Sequence, residues 1–123
     1  MLDKSIFDDI SKVNGYMGSV LSDYTGEVLV SDNGNVKKGL TETSMHFNEV
    51  FRTLHQLTES LSLGHTNVMN VESDNAIIIM ACSGVETRVH IHAFVIMAKD
   101  GSIGLAKMAL NGVIDKAVVE LTN

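Results

Sequence analysis

His90 and His92 are the residues of this sequence best spaced for chemistry. They are separated by one residue in a largely apolar run, and alternate residues of a strand share a face, so both imidazoles point the same way. Such a pair offers two ligands to zinc. A zinc site takes four, and the sequence around the pair supplies no third and fourth at ligand spacing. The reading that fits is a pair of partly buried or interface histidines held by hydrogen bonds. Cys82 is the one cysteine, which closes off an internal disulfide and a multi-cysteine zinc site. It ends an apolar run and reads as a small buried hydrophobe, with no base beside it to make a nucleophilic thiolate.

Gly101-Ser102-Ile103-Gly104 falls between a strand pattern and a helix pattern, where backbone amides can cradle a phosphate. It lacks the spacing of a P-loop and the setting of a dinucleotide site. It reads as a glycine turn in which Ser102 caps the helix and Gly104 allows close helix–sheet approach. No G-x-S-x-G elbow occurs, and the acids are scattered over turns and helix faces rather than paired. The sequence therefore predicts no enzyme, no cofactor and no resident metal.

These residues are carried by eight elements. Leu2, Ile6, Ile10 and Val13 recur at helical spacing and end at Asn14-Gly15. Strand patterns at Tyr16–Ser22 and Glu27–Ser31 flank Asp23-Tyr24-Thr25-Gly26, a short hairpin turn. A long helix is predicted between Thr41 and Leu63, with Phe47, Val50, Phe51, Leu54, Leu57 and Leu61 as its buried stripe and Gly64 as its stop. Three strands follow at Val68–Glu72, Ala76–Ala81 and Arg88–Met97, joined by Ser73-Asp74-Asn75 and Ser83-Gly84-Val85-Glu86. The run Ala76–Ala81 is apolar throughout, which predicts a sheet covered on both faces. A final helix from Ser102 to Leu121 buries Ile103, Ala106, Leu110, Val113, Ala117 and Leu121. The fold class is α+β, in the order α-β-β-α-β-β-β-α around one five-stranded antiparallel sheet.

Composition sets outer limits. The 123 residues predict a single domain over 1–123, and 45% hydrophobic content is that of a folded globule. With 9 Lys and Arg against 15 Asp and Glu, the charge of −6 disfavours nucleic acid and anionic membrane surfaces. No apolar run is long enough to insert in a membrane, and the acidic amphipathic start is unlike a signal peptide. Seven Met and a lone thiol fit the cytoplasm. Proline is absent, which fits regular elements joined by Gly, Asn and Asp turns.

The order of elements and three local patterns resemble the roadblock (dynein light chain) family over essentially the whole chain. The patterns are the hairpin from Gly15 to Ser31 with its Asp-x-x-Gly turn, the long helix ending in Leu63-Gly64, and Ile103-Gly104-Leu105-Ala106-Lys107-Met108 at the start of the last helix. The resemblance implies a three-layer α/β/α fold, with the first and last helices on one face of the sheet and the central helix on the other. It implies a stand-alone, prokaryotic-type member that forms a homodimer, central helices packing together and sheets joining edge to edge. The interface residues it implies are His46, Val50, Thr53, Leu57, Val68, Asn70 and Glu72. An unpaired strand edge is itself an association hazard that dimerisation removes. Phe47 and Phe51 make the central helix bulkier than the family's small aliphatic residues. His46 and His55 flank its stripe, and one at the seam would weaken a dimer below about pH 6.5.

By the same resemblance the protein is a non-enzymatic adaptor whose partner is a Ras-like small GTPase or another regulatory protein. A profilin-like sensory module for a small ligand is the competing reading. A sensor requires a cavity between sheet and helices, and an adaptor is packed solid there.

Overall fold

The computed structural model describes residues 2–84 and 88–123, so Val85 and Glu86 of the predicted turn lie outside the described residues. A 3-10 turn, Lys4–Phe7, opens the chain and runs into α1, Asp8–Ser11. The first helix is thus shorter and tighter than its apolar spacing predicts. So short a helix is unstable alone, and Ile6, Phe7 and Ile10 hold it by burying their side chains.

The strands are β1 (Tyr16–Asp23), β2 (Val28–Asp32), β3 (Val68–Glu72), β4 (Ala76–Cys82) and β5 (Ile91–Ala98). They form one antiparallel sheet in the order β2-β1-β5-β4-β3. The β1–β2 turn is built by Asp23, whose Oδ1 accepts the amides of Thr25 at 2.9 Å and Glu27 at 3.1 Å. The fifth strand begins at Ile91 rather than Arg88, which leaves His90 just ahead of it.

Helices α2 (Leu40–Ser60) and α3 (Ile103–Thr122) cover opposite faces of the sheet. Ile79 and Ala81 pack with α1 and α3, whereas Met80 and Ile78 pack under α2. That is why the β4 run is apolar throughout: neither face meets water. The result is the three-layer α/β/α arrangement.

The predicted stripe of α2 divides. Phe47, Phe51 and Leu54 pack on the sheet, but Val50, Leu57 and Leu61 are 50%, 53% and 69% exposed. The side facing the sheet is centred on Leu40, Ser44, Asn48 and Phe51. Its polar members are satisfied there, Ser44 Oγ donating to the Thr41 carbonyl at 2.7 Å and Asn48 bonding to β5. The bulk of Phe47 and Phe51 is therefore spent on the sheet, Phe47 lying 5.6 Å from Phe94 between ring centroids.

α2 also stops earlier than Gly64. The Leu63 amide donates to the Thr58 carbonyl and the Ser62 amide to Glu59, the paired bonds of a Schellman cap, with Ser62 left-handed at φ 59°. A Cβ makes that conformation unfavourable. Ser62→Gly is expected to raise stability by about 0.5–1 kcal/mol, read as a Tm increase of roughly 2–5 °C in calorimetry.

At the other end of the sheet the 14–15 and 98–102 segments meet. A Cβ on Gly101 would lie 2.6 Å from the Asn14 carbonyl oxygen, and one on Gly15 would lie 2.6 Å from the Gly101 Cα. The Ser102 amide donates to Asn14 and its side chain makes no cap bond. Close approach belongs to Gly101, since among the described residues nothing lies within 4 Å of a Cβ at Gly104. Along α3, Ala106, Leu110, Val113 and Ala117 are buried as predicted, while Leu121 is exposed.

Candidate functional site

His46, Val50, Thr53 and Leu57 lie at helical spacing on the side of α2 turned away from the sheet, and all four are exposed. β3 is an end strand of the sheet, so one row of its backbone groups has no partner strand among the described residues. Val68, Asn70 and Glu72 are exposed too, but they project elsewhere. They sit opposite Ala81, Ile79 and Ile77, on the α3 side of the sheet, where Glu72 pairs with Lys99 at 2.9 Å. The seven residues therefore form two patches on opposite sides of the sheet. What joins them is the open edge of β3.

A second feature lies under the C-terminal half of α2. A pocket of about 110 Å3 is lined by Tyr24, Phe51, Arg52, His55, Gln56, Thr66, His90 and His92. Register places Cys82 at the end of β4 directly opposite His92 on β5, with side chains on the same face. His90 curls over this pair, its Nε2 3.0 Å from Cys82 Sγ, and its ring stacks on Tyr24 at 5.2 Å. Cys82 Sγ also accepts the Gly84 amide at 3.2 Å.

His92 is buried and its Nδ1 lies 2.6 Å from Asn48 Oδ1. Asn48 Nδ2 donates to the Tyr24 carbonyl at 3.1 Å, so the amide oxygen must be the acceptor and His92 Nδ1 carries the proton. Burial, reinforced by the charges of His90, His55 and Arg52, pushes His92 down to about 4 against an opposing pull from Asp23. His90 is lowered as well, by burial first and then by His55 and His65. Burial raises the Cys82 thiol, partly offset by the Gly84 amide. At neutral pH the group is a thiol and two uncharged imidazoles.

At the pocket's outer rim His55 faces inward, so it is not on the outward side with His46. Its Nε2 and His65 Nδ1 each lie 2.7 Å from Glu59 Oε1, and the two rings stack at 4.5 Å.

No protein-family model matches the sequence, and no curated protein does. Solved structures do match. The chain superposes on a Roadblock/LC7 domain from Streptomyces avermitilis with a TM-score of 0.84 at 12% identity, over 99% of this chain and 98% of that one. The fold is that of the roadblock family. Myxococcus xanthus MglB matches at TM-score 0.76 and 14% identity, over 96% of this chain and 89% of its own. An MglB structure with a tetrameric arrangement matches at 0.73 and 12%, over 92% and 88%.

Within this roadblock fold, the spacing of the sequence found the His90/His92 pair. The outward residues His46, Val50, Thr53 and Leu57 came from the family resemblance, spacing having put Val50 and Leu57 in the buried stripe. Sequence reasoning missed Cys82 as the companion of the histidine pair, and the His55, Glu59 and His65 group. The signal for Cys82 was hairpin pairing: once β4 and β5 are placed antiparallel, the end of one faces the start of the other. His55 and Glu59 are one helical turn apart, which is visible, but His65 joins them only because the chain turns back after Ser62.

Proposed function

We propose that residues 1–123 form one roadblock-type domain that acts as a non-enzymatic cytoplasmic adaptor. It homodimerises and presents the dimer surface to a Ras-like small GTPase or another regulatory protein. The observation that carries this reading is the outward stripe of α2. Val50, Leu57 and Leu61 are at least half exposed at helical spacing, beside the unpaired edge of β3. Apolar stripes and open edges on a folded domain are the features that association covers. The tetrameric arrangement of the matched MglB structure supports self-association as a use of this fold.

The cavities favour an adaptor over a small-ligand sensor. The pocket under α2 holds about 110 Å3, below the roughly 300–1,000 Å3 of metabolite sites. A larger groove of about 410 Å3 lies on the outside, between the N-terminal turn and α3, and not between sheet and helix.

The test is assembly state followed by partner assay. Sedimentation equilibrium is expected to give a dimer for the wild type. Leu57→Glu, which would bury a charge at the seam, is expected to weaken it by at least about 100-fold with an unchanged circular dichroism spectrum. The dimer is then expected to alter GTP hydrolysis by a small GTPase from its own host, and Leu57→Glu to lose that effect. A wild type that stays monomeric at 100 µM refutes the dimer, and unchanged hydrolysis refutes the GTPase partner.

A further inference from the structure

We propose that Cys82, His90 and His92 form a binding site for a divalent, thiolate-tolerant metal ion of the zinc type. One ligand atom from each comes within 4.8 Å of the others. The Cys82–His90 separation is 3.0 Å, against the roughly 3.3–3.7 Å between neighbouring ligands of a tetrahedral zinc ion. The set needs adjustments of about an ångström, and two of its members hang on a sheet register that fixes their backbones.

Three further observations point to a metal rather than to mutual hydrogen bonding alone. His92 donates its Nδ1 proton to Asn48 Oδ1, so the neutral ring keeps its lone pair on Nε2. Metal-bound histidines are commonly anchored in this way through the nitrogen that does not bind. The Gly84 amide donates to Cys82 Sγ, which is the contact that steadies a thiolate once its proton leaves. The pocket of about 110 Å3 beside His90 and His92 has room for a water, which would complete the ligand set. One thiolate with two imidazoles suits Zn2+ better than the hard cations, which prefer oxygen.

The neighbouring group of His55, Glu59 and His65 is a weaker candidate by the same logic. The Thr66 amide donates to His55 Nδ1 at 3.2 Å, so the neutral ring carries its proton on Nε2. That is the atom facing Glu59 and His65, so the triad is already bonded by a proton where a metal would need a lone pair.

The test uses the full chain stripped with chelator and titrated with Co2+ and Zn2+ without air. Expected are a near-ultraviolet thiolate-to-cobalt band saturating at one ion per chain and its displacement by Zn2+. Cys82→Ser is expected to abolish the band and weaken Zn2+ binding at least 100-fold, while Glu59→Gln leaves the affinity unchanged. In the unmodified chain, Zn2+ is expected to slow alkylation of Cys82 by iodoacetamide at least tenfold, a readout that needs no variant to fold. Absence of the thiolate band, an unchanged alkylation rate, or loss of Zn2+ in Glu59→Gln but not in Cys82→Ser overturns the assignment.

Discussion

Replacing Asn48 with alanine is expected to destabilise the domain by about 3 kcal/mol. Asn48 is 1% exposed and its amide is used at both ends, accepting from His92 on β5 and donating to the Tyr24 carbonyl in the β1–β2 turn. Alanine removes both partners at once. A buried polar group left unpaired costs roughly 1–3 kcal/mol, which the buried His92 Nδ1–H would incur, and the part-buried Tyr24 carbonyl and a small cavity add to it. Urea unfolding at pH 7.5 is expected to show a lower midpoint with an unchanged slope, and the Tm to fall by roughly 10 °C. Asn48→Asp keeps the acceptor for His92 but loses the donor to Tyr24 and buries a carboxylate, so it is expected to be destabilised as well. A loss under about 1 kcal/mol for alanine would show that water replaces the amide without penalty.

The second large effect is loss of stability in mild acid by the metal-free protein. His92 is held near 4 in the fold, chiefly by burial, against an ordinary value of 6.5. The unfolded chain therefore takes the proton first as pH falls. The stabilisation is complete above about pH 6.5, declines through pH 5, and is exhausted below about 4. The gap corresponds to roughly 3 kcal/mol, of which most is gone by pH 4.5. His90, His55 and Arg52 deepen the effect and Asp23 opposes it. His92→Gln cannot titrate, so its stability between pH 7.5 and 4.5 is expected to change by about 2–3 kcal/mol less than that of the wild type. Parallel stability curves for the two proteins would place the acid response elsewhere.

How far the sequence could be read depended on whether a signal was local. The β4 run announced a sheet covered on both faces because six consecutive residues, Ala76–Ala81, carry that message without reference to anything distant. The length of α2 was legible in the same way, from helical spacing, but its rotation was not. Spacing put Val50 and Leu57 in the buried stripe, and the outward set of His46, Val50, Thr53 and Leu57 came from the family resemblance. Apolar side chains occupy both the sheet side and the outward side, so periodicity merges them into one broad stripe. The true inner face is centred on Ser44 and Asn48, polar residues that are tolerable there only through bonds to partners elsewhere. The grouping of Cys82 with His90 and His92 depended on strand register across a loop, and that of His65 with His55 on a turn set by a left-handed serine. Neither is written in the spacing of the residues themselves.

Strand order has a consequence for how the chain comes to its final form. β5 lies at the centre of the sheet, pairing with β1 from Tyr16↔Met97 to Asp23↔Ile91 and with β4 on its other side. It is also the last strand to leave the ribosome. Until it emerges, the β1–β2 and β3–β4 hairpins have no strand between them, and isolated two-stranded ribbons are marginal in water. Such distant pairing slows closure, toward milliseconds to seconds, and leaves two hairpins open to wrong partners meanwhile. Truncation ahead of Ile91 removes the seam that makes one sheet out of two ribbons, so assembly of the sheet waits for its central strand.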